Sequence, residues 1–247
     1  MKKISHLPIL GHAIETVDNE IECLGYQKAM MQVLLKTGAK VNITKKDKIT
    51  KILKEEAVLV VANHPAEADV PLLLSALDQR DDTYLIMNSG FVSFCPSFNK
   101  HIIPVHIAHN LIHNSKDNLK FRLLKKIHQS MTLTPEEAHR KNVESIKSAA
   151  EKIDNKALVA IFPGAGGEDG KWKSGVGYLI SQVKNKNNVK IVMAYIEGTS
   201  NKDYFRIIPG ASKLLPTLRV RFSEPLEMDI FKDDEAKTAA QKLETEY

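Results

Sequence analysis

The 247-residue chain is predicted to form an α/β domain, with a mostly parallel central sheet flanked by helices and an N-terminal helical element. Two observations predict this fold class. Short apolar runs of strand length alternate along the chain with stretches long enough for helices, a pattern typical of parallel α/β sheets. Several of these apolar runs are continuous, as expected for strands that helices cover on both faces.

The strands are predicted at residues 58–62, 84–88, 102–107, 158–162, 190–196, 205–208 and 218–222. The helices are predicted at residues 18–36, 70–78, 116–129, 135–154, 175–183 and 233–245. The clearest boundary is the start of the helix at 135, where Thr134 is a preferred N-cap, Pro135 suits the first helical position and two glutamates follow.

Residues 1–247 are expected to form a single domain, in which residues 1–40 form the N-terminal helical element. Much of the helix predicted at 18–36 is apolar, through Ile21, Leu24, Met30, Met31, Val33, Leu34 and Leu35. The favoured interpretation is a stripe that faces the core. The alternative is a helix lying on lipid, since methionine and leucine beside lysines suit that position.

Composition indicates an ordinary globular protein, with 43% apolar and 26% charged residues. Cys23 and Cys95 match no metal or redox spacing, which is typical of free thiols in a reducing compartment. No apolar run approaches the roughly 20 residues that span a bilayer, and the N-terminal residues do not resemble a signal peptide. We therefore expect a cytoplasmic location, with the inner face of the membrane as the alternative.

The net charge of +5 includes basic clusters at residues 45–48, 125–126 and 184–190. Solvated loops and helix faces account for most such clusters. Peripheral contact with an anionic membrane surface is the second interpretation, because each basic residue near such a surface contributes about 1 kcal/mol. Aromatic residues are only 6% of the chain and no zinc-finger or RNP-like pattern is present, so no nucleic-acid partner is expected.

The most informative segment follows the strand predicted at 58–62, where Asn63 and His64 precede Asp69 at the start of a helix. Ligands of parallel α/β sheets bind at the carboxyl ends of strands. Histidine accepts and returns protons near neutral pH, and a carboxylate bonded to the ring fixes its tautomer and stabilises the imidazolium. The pair could therefore activate a substrate hydroxyl without a serine nucleophile.

The same residues have structural interpretations. Asp69 could cap the helix, since aspartate is a preferred N-cap and Pro71 suits the first turn. Asn63 and His64 could be turn residues that bond to the backbone. A histidine and an aspartate at this spacing also occur together by chance, so the pair alone does not establish catalysis.

A glycine-rich turn follows the strand predicted at 158–162 and leads into the helix predicted at 175–183. Its glycines let backbone N–H groups approach an anion closely, and Lys173 lies near a helix start, where the helix dipole also favours anions. The spacing matches neither a Walker A loop nor a dinucleotide-binding fingerprint. An ordinary flexible loop is the alternative.

Taken in order, these segments resemble the glycerophospholipid acyltransferase family, whose best-known members acylate 1-acyl-glycerol-3-phosphate. Residues 63–69 match the family's NHx4D block, Asn-His-x4-Asp. Residues 162–166 and 172–175 are similar to its Phe-Pro-Glu-Gly turn and the basic residue and glycine that follow. Residues 218–226 are similar to its closing Val-x-Val-x-Phe-Gly-x-Pro-Leu strand. The resemblance covers residues 36 to 227.

The resemblance implies a glycerol-3-phosphate acyltransferase-like fold and an O-acyltransferase of phospholipid biosynthesis. His64 would be the general base and Asp69 its orienting partner. The donor would be an acyl thioester, acyl-CoA or acyl carrier protein, and the acceptor a lysophospholipid-like or other polar molecule, with no cofactor. The residues expected to bind substrate are Asn63, His106, Phe162, Pro163, Gly164, Ala165, Gly166, Lys173, Ser174 and Gly175.

The chain departs from the family pattern at two positions. Gly164 stands where the third block has glutamate, and residues 100–107 lack the second block's arginine for the acceptor phosphate, which His106 or Lys100 could replace. These departures concern the identity of the acceptor more than acyl transfer itself. The alternatives are a non-catalytic lipid- or membrane-binding protein on the same fold and a hydrolase that activates water.

Four histidines close together, His101, His106, His109 and His113, raise the question of a metal site. Helical spacing would gather the last three on one side, but Pro104 and the strand-like sequence oppose a helix here. We expect solvated or hydrogen-bonded histidines and no metal.

Overall fold

The computed structural model describes residues 8–64, 66, 68–92, 95–106, 133–164, 171–207 and 211–247. Short 3₁₀ turns join some of the main elements. In chain order these elements are α1 Pro8–Leu24, α2 Tyr26–Lys36, β1 Val41–Thr44, α3 Asp47–Glu55, β2 Ala57–Ala62, α4 Asp69–Ala76, β3 Thr83–Asn88, α5 Pro96–Asn99, β4 Ile102–Val105, α6 Pro135–Asp154, β5 Leu158–Ile161, α7 Gly175–Gln182, β6 Val189–Glu197, β7 Leu218–Phe222, β8 Leu226–Glu227 and α8 Ala236–Glu246.

The strands form one sheet in the order β1-β7-β6-β2-β5-β3-β4, with β8 beside β6. Strands β6, β2, β5, β3 and β4 run parallel. Strand β7 is antiparallel to β6, and β1 is parallel to β7. The predicted fold class, a mostly parallel sheet with N-terminal helices, is confirmed. Because β6, β2 and β5 are parallel neighbours, their carboxyl ends meet at one edge of the sheet.

Helices cover both faces of the sheet and create two cores. On β2, the side chains of Val58 and Val60 join helices α1 to α4 in one core, and those of Leu59 and Val61 join helices α6 to α8 in the other. All six residues of β2 are buried. This burial on both faces explains the continuous apolar run in the sequence.

The N-terminal helical element consists of two helices, whereas the sequence predicted one over 18–36. The chain breaks at Gly25, which has a φ of +81°, a conformation that glycine adopts without a steric penalty. Ile21, Met30 and Leu34 are buried in the core, while Leu24 and Leu35 remain exposed. The burial of this stripe favours the core-facing interpretation over a helix lying on lipid.

The strand predicted at residues 205–208 is wrong, because Asp203–Ile207 form a 3₁₀ turn. The buried guanidinium of Arg206 donates to Asp203 Oδ1 at 2.7 Å and to the carbonyl oxygen of Pro216 at 2.8 Å. These two bonds hold the Nε and Nη2 groups of the guanidinium against the turn. The predictions missed β1 and α3, and the helix predicted at 116–129 lies outside the described residues.

Within the part of the chain that the structure describes, no helix is both long enough and apolar enough to cross a membrane.

Helices α7 and α8 approach each other closely at Gly177. A Cβ atom at position 177 would lie 1.7 Å from the carbonyl oxygen of Ala236, whereas a Cβ at Gly175 would meet nothing within 4 Å. The contact ties α8 to the helix that follows the glycine-rich turn.

Gly177→Ala is therefore expected to lower the free energy of unfolding by about 1–3 kcal/mol, because two backbones must separate to admit the methyl group. Urea denaturation measures the change. The control, Gly175→Ala on the same helix, is expected to leave stability unchanged or slightly raised. Equal stabilities for the two variants would contradict the close approach.

Candidate active site

His64 lies just beyond the carboxyl end of β2, and its ring is bonded to Asp69. The Nδ1 atom of His64 is 3.1 Å from Oδ2 of Asp69. An ionised carboxylate only accepts hydrogen bonds, so Nδ1 carries the proton and Nε2 keeps a lone pair. The His64 side chain is 24% exposed and that of Asp69 is 0% exposed. The ring is thus held by the buried carboxylate at Nδ1, while part of the His64 side chain remains exposed to solvent.

Asp69 is the first residue of α4 and does not cap it. The helix is preceded by Ala68, and Asp69 Oδ2 reaches back to accept the N–H of Ala66 at 2.7 Å. A carboxylate in the first helical turn is also stabilised by the helix dipole. The structure therefore does not support the capping interpretation, and the carboxylate is directed toward the imidazole.

Phe162 packs against a face of the His64 imidazole. It follows β5, the neighbour of β2, and its ring stacks on His64 with centroids 4.7 Å apart and planes 28° apart. The glycine-rich turn begins with Pro163, whose carbonyl oxygen accepts the N–H of Lys173 at 3.1 Å. These contacts bring the predicted first and third blocks together at one edge.

The described residues of the third block lie near this contact. Pro163 is buried and Gly164 partly exposed, whereas Ala165 and Gly166 lie outside the described residues. Lys173 and Ser174 are exposed immediately before α7, which begins at Gly175, and the Ser174 side chain makes no capping hydrogen bond to this helix. The amino end of α7 and one lysine therefore lie beside the turn that supports His64.

The side-chain amide of Asn63, which was predicted to bind substrate, makes hydrogen bonds within the protein. Its Nδ2 donates to the carbonyl oxygen of Ile196 at 2.9 Å, and its Oδ1 accepts the N–H of Ile196 at 2.7 Å. The side-chain amide thereby extends the hydrogen bonding between β2 and β6 beyond their last paired residues. This geometry suits a support for His64 better than a ligand for substrate.

His106 lies at the carboxyl end of β4, and Asn142 of α6 holds its backbone. Asn142 accepts the N–H of His106 at 2.6 Å and donates to its carbonyl oxygen at 2.9 Å. Partial burial and, secondarily, the charge of Lys141 lower the pKa of His106. At neutral pH the imidazole is therefore uncharged and does not replace an arginine as a cation.

Lys100, the other candidate replacement, precedes β4 and therefore lies at the amino edge of the sheet, opposite His64. A cavity of about 650 Å³ lies at that edge, and its lining includes Tyr84, Lys100 and His101. His101 stacks on Tyr26 and its Nδ1 lies 2.9 Å from the carbonyl oxygen of Thr83. The position of Lys100 argues against a role for it at the His64 edge.

His109 and His113 lie outside the described residues. Among the residues that are described, no group of three or more His, Cys, Asp and Glu side chains could hold a metal ion.

The structure adds Tyr247, which the sequence did not single out. Its hydroxyl accepts the backbone N–H of Asn63 at 3.0 Å and lies 2.7 Å from Asn63 Oδ1. Burial raises the pKa of Tyr247 to about 12, so its hydroxyl remains a donor across the physiological range. No local sequence pattern could reveal this contact, because the two residues are far apart in the chain.

The described residues form a three-layer α/β fold with a histidine–carboxylate contact at the carboxyl edge of its sheet. A family model described as Acyltransferase matches residues 40–192. The chain belongs to the Acyltransferase family, and the sequence-based prediction of an O-acyltransferase is confirmed.

Among solved structures, the chain is similar to the 1-acyl-sn-glycerophosphate (LPA) acyltransferase PlsC from Thermotoga maritima. The TM-score is 0.52 at 16% identity, and the match covers 99% of this chain and 80% of that chain. At this identity the likeness is one of fold. No curated protein matches the sequence significantly.

Asn63→Ala tests whether this amide supports the site. The variant is expected to lose about 1–3 kcal/mol of unfolding free energy, because the backbone groups of Ile196 lose buried partners. Urea denaturation measures the loss. Asn155→Ala, which removes an exposed amide bonded to the carbonyl of Glu151, is the control and should change stability much less. An Asn63 variant with native stability and a raised KM would instead identify the amide as a substrate ligand.

Proposed function

We propose that this acyltransferase moves a fatty acyl group from an acyl thioester, acyl-CoA or acyl carrier protein, to a hydroxyl of a lysophospholipid-like or other polar acceptor. The observation that carries the proposal is the 3.1 Å contact between His64 Nδ1 and the fully buried carboxylate of Asp69. This contact leaves Nε2 as the accessible proton acceptor at the ligand-binding edge of the sheet.

The reaction follows from these groups. Nε2 of His64 removes the proton of the acceptor hydroxyl while the oxygen attacks the thioester carbonyl. Asp69 stabilises the imidazolium formed in this step. The tetrahedral intermediate then breaks its C–S bond, and the departing thiolate takes the proton from the imidazolium. The products are an ester and a free thiol, and the histidine returns to its starting state without a cofactor.

The acceptor is proposed to carry an anionic head group. Lys173 and the amino end of α7 lie beside Pro163, next to the Phe162 ring that contacts His64. A helix N-terminus with an adjacent lysine favours phosphate or carboxylate. The related fold of PlsC belongs to an enzyme that acts on 1-acyl-sn-glycerophosphate, which supports a phosphate-bearing acceptor here as well.

A lipid-like acceptor places this activity at a membrane surface. The net charge of +5 supports peripheral contact with anionic lipid, as at the inner face of a cell membrane. Binding to vesicles that contain anionic lipid, and weaker binding to neutral vesicles, is the expected behaviour. Equal binding to both would contradict a contribution from charge.

Thiol release from acyl-CoA and acyl carrier protein, measured with a panel of lysolipid acceptors, tests the proposed function. Release coupled to formation of an acylated acceptor supports it. Free fatty acid without an acylated acceptor would show a hydrolase. Lipid binding without thiol release from any donor would show a non-catalytic binding protein.

His64→Ala is expected to reduce acyl transfer by roughly 10²–10⁴-fold, because the general base is lost. The variant should keep the native fold, since this partly exposed ring contributes little to the core, although its melting temperature should fall because the buried Asp69 carboxylate loses a hydrogen-bond partner. His139→Ala, which changes an exposed histidine of α6, should retain full activity. Undiminished turnover by the His64 variant would remove this residue from the mechanism.

Lys173→Met is expected to raise the KM for a phosphate-bearing acceptor roughly tenfold, as expected for loss of a hydrogen bond to a charged group, with little change in kcat. Steady-state kinetics with a phosphate-bearing and an uncharged acceptor measure the difference. Lys184→Met, an exposed lysine beyond the other end of α7, is the control. Equal KM values for the wild type and the Lys173 variant would exclude this lysine from the head-group site.

A further inference from the structure

The Tyr247 hydroxyl lies where strands β2 and β6 separate. The last paired residues of the two strands are Ala62 and Ala194. Beyond this pair, the N–H of Asn63 donates to the Tyr247 hydroxyl at 3.0 Å, and the hydroxyl oxygen lies 2.7 Å from Asn63 Oδ1 and 3.0 Å from the Ala194 carbonyl oxygen. One phenol thus contacts both strands immediately before His64.

Aromatic packing and α8 fix the position of this hydroxyl. The ring of Tyr247 packs against Tyr195 of β6, with centroids 4.6 Å apart, and against Trp172, with centroids 5.2 Å apart. The backbone N–H of Trp172 donates to the Glu244 carboxylate of α8 at 3.0 Å. Tyr247 is therefore held by the same segment that links the glycine-rich turn to α7.

We propose that Tyr247 is a positioning residue for acyl transfer, which fixes the backbone of Asn63 and thereby the orientation of the His64 ring. The inference rests on the proposed function of His64. The residue after Asn63 carries the base, so a displacement of the Asn63 backbone moves the imidazole relative to both Asp69 and the substrate. Displacements of about 1 Å can cost up to 10²-fold in rate.

The electrostatic surroundings support this arrangement. Burial is the main cause that raises the pKa of Tyr247 to about 12, and the hydrogen bond with the Asn63 backbone opposes this rise. A phenol that stays protonated keeps its hydrogen bonds at every pH at which the enzyme would work. Tyr247 consequently acts through geometry and takes no proton in the reaction.

Tyr247→Phe removes the hydroxyl and keeps the ring. The variant is expected to lower kcat about tenfold with an unchanged KM, because His64 is misaligned while substrate contacts remain. The control is Tyr178→Phe, whose side chain is exposed on α7 and which should match the wild type in kcat. A Tyr247 variant with wild-type kcat would overturn the inference, even if its melting temperature fell.

A second measurement does not depend on turnover. The proton on His64 Nδ1, held against a carboxylate, is expected to give a downfield NMR signal protected from solvent exchange. In Tyr247→Phe this proton should exchange several-fold faster than in the wild type or in Tyr178→Phe. Unchanged exchange overturns the inference. If the wild-type protein transfers no acyl group, the proposed function fails while this measurement still decides the role of Tyr247.

Discussion

A carboxylate with no exposed surface, that of Asp69, holds the candidate active site together. Burying such a charge is costly unless hydrogen bonds and neighbouring charges compensate. The Oδ2 atom accepts the N–H of Ala66 and contacts the ring of His64, and the amino end of α4 favours the charge, whereas the buried Oδ1 has no hydrogen-bond partner among the described residues. The short connection between β2 and α4 is therefore constrained at both of its ends, and the orientation of the imidazole follows from the burial of the acid.

The sheet order explains why the supporting groups come from distant parts of the chain. Strand β2 lies between β5 and β6, so the segments that follow all three strands meet at the same edge. The first contributes His64, the second contributes Phe162, and the third bonds to the amide of Asn63. Helix α8 then returns to this edge and adds Tyr247. The parallel arrangement of these strands therefore assembles the site from several segments that are distant in the sequence.

The sequence predicted the features that are encoded locally. Helix α6 was predicted with its observed bounds because Thr134 is a preferred N-cap, Pro135 suits the first helical position and two glutamates follow, and the structure shows Thr134 and Glu137 in a capping box. The His64–Asp69 contact followed from the order strand, histidine, aspartate and helix, supported by resemblance to a family. The break at Gly25 was missed because the apolar stripe continues through it, and apolar periodicity alone does not register a single residue with positive φ.

Features that depend on tertiary structure could not be predicted in this way. The contact of Tyr247 with Asn63 joins residues 184 positions apart in the chain, and the lowered pKa of His106 depends on burial and on Lys141. The turn at Asp203–Ile207 resembled a strand in sequence, yet its buried Arg206 is held by an ion pair with Asp203 and a hydrogen bond to the carbonyl oxygen of Pro216. Each case reflects a partner that only the folded chain supplies.

The decisive measurement is a crystal structure with a lysolipid acceptor and a non-transferable ketone analogue of the acyl donor, in which a methylene group separates the carbonyl from the sulfur, bound together. We predict that the acceptor hydroxyl lies within about 3.2 Å of His64 Nε2 and faces the analogue's carbonyl carbon, with Asp69 still bonded to Nδ1. A complex in which both ligands are bound and the hydroxyl lies beyond the reach of Nε2, even through one water molecule, would contradict it.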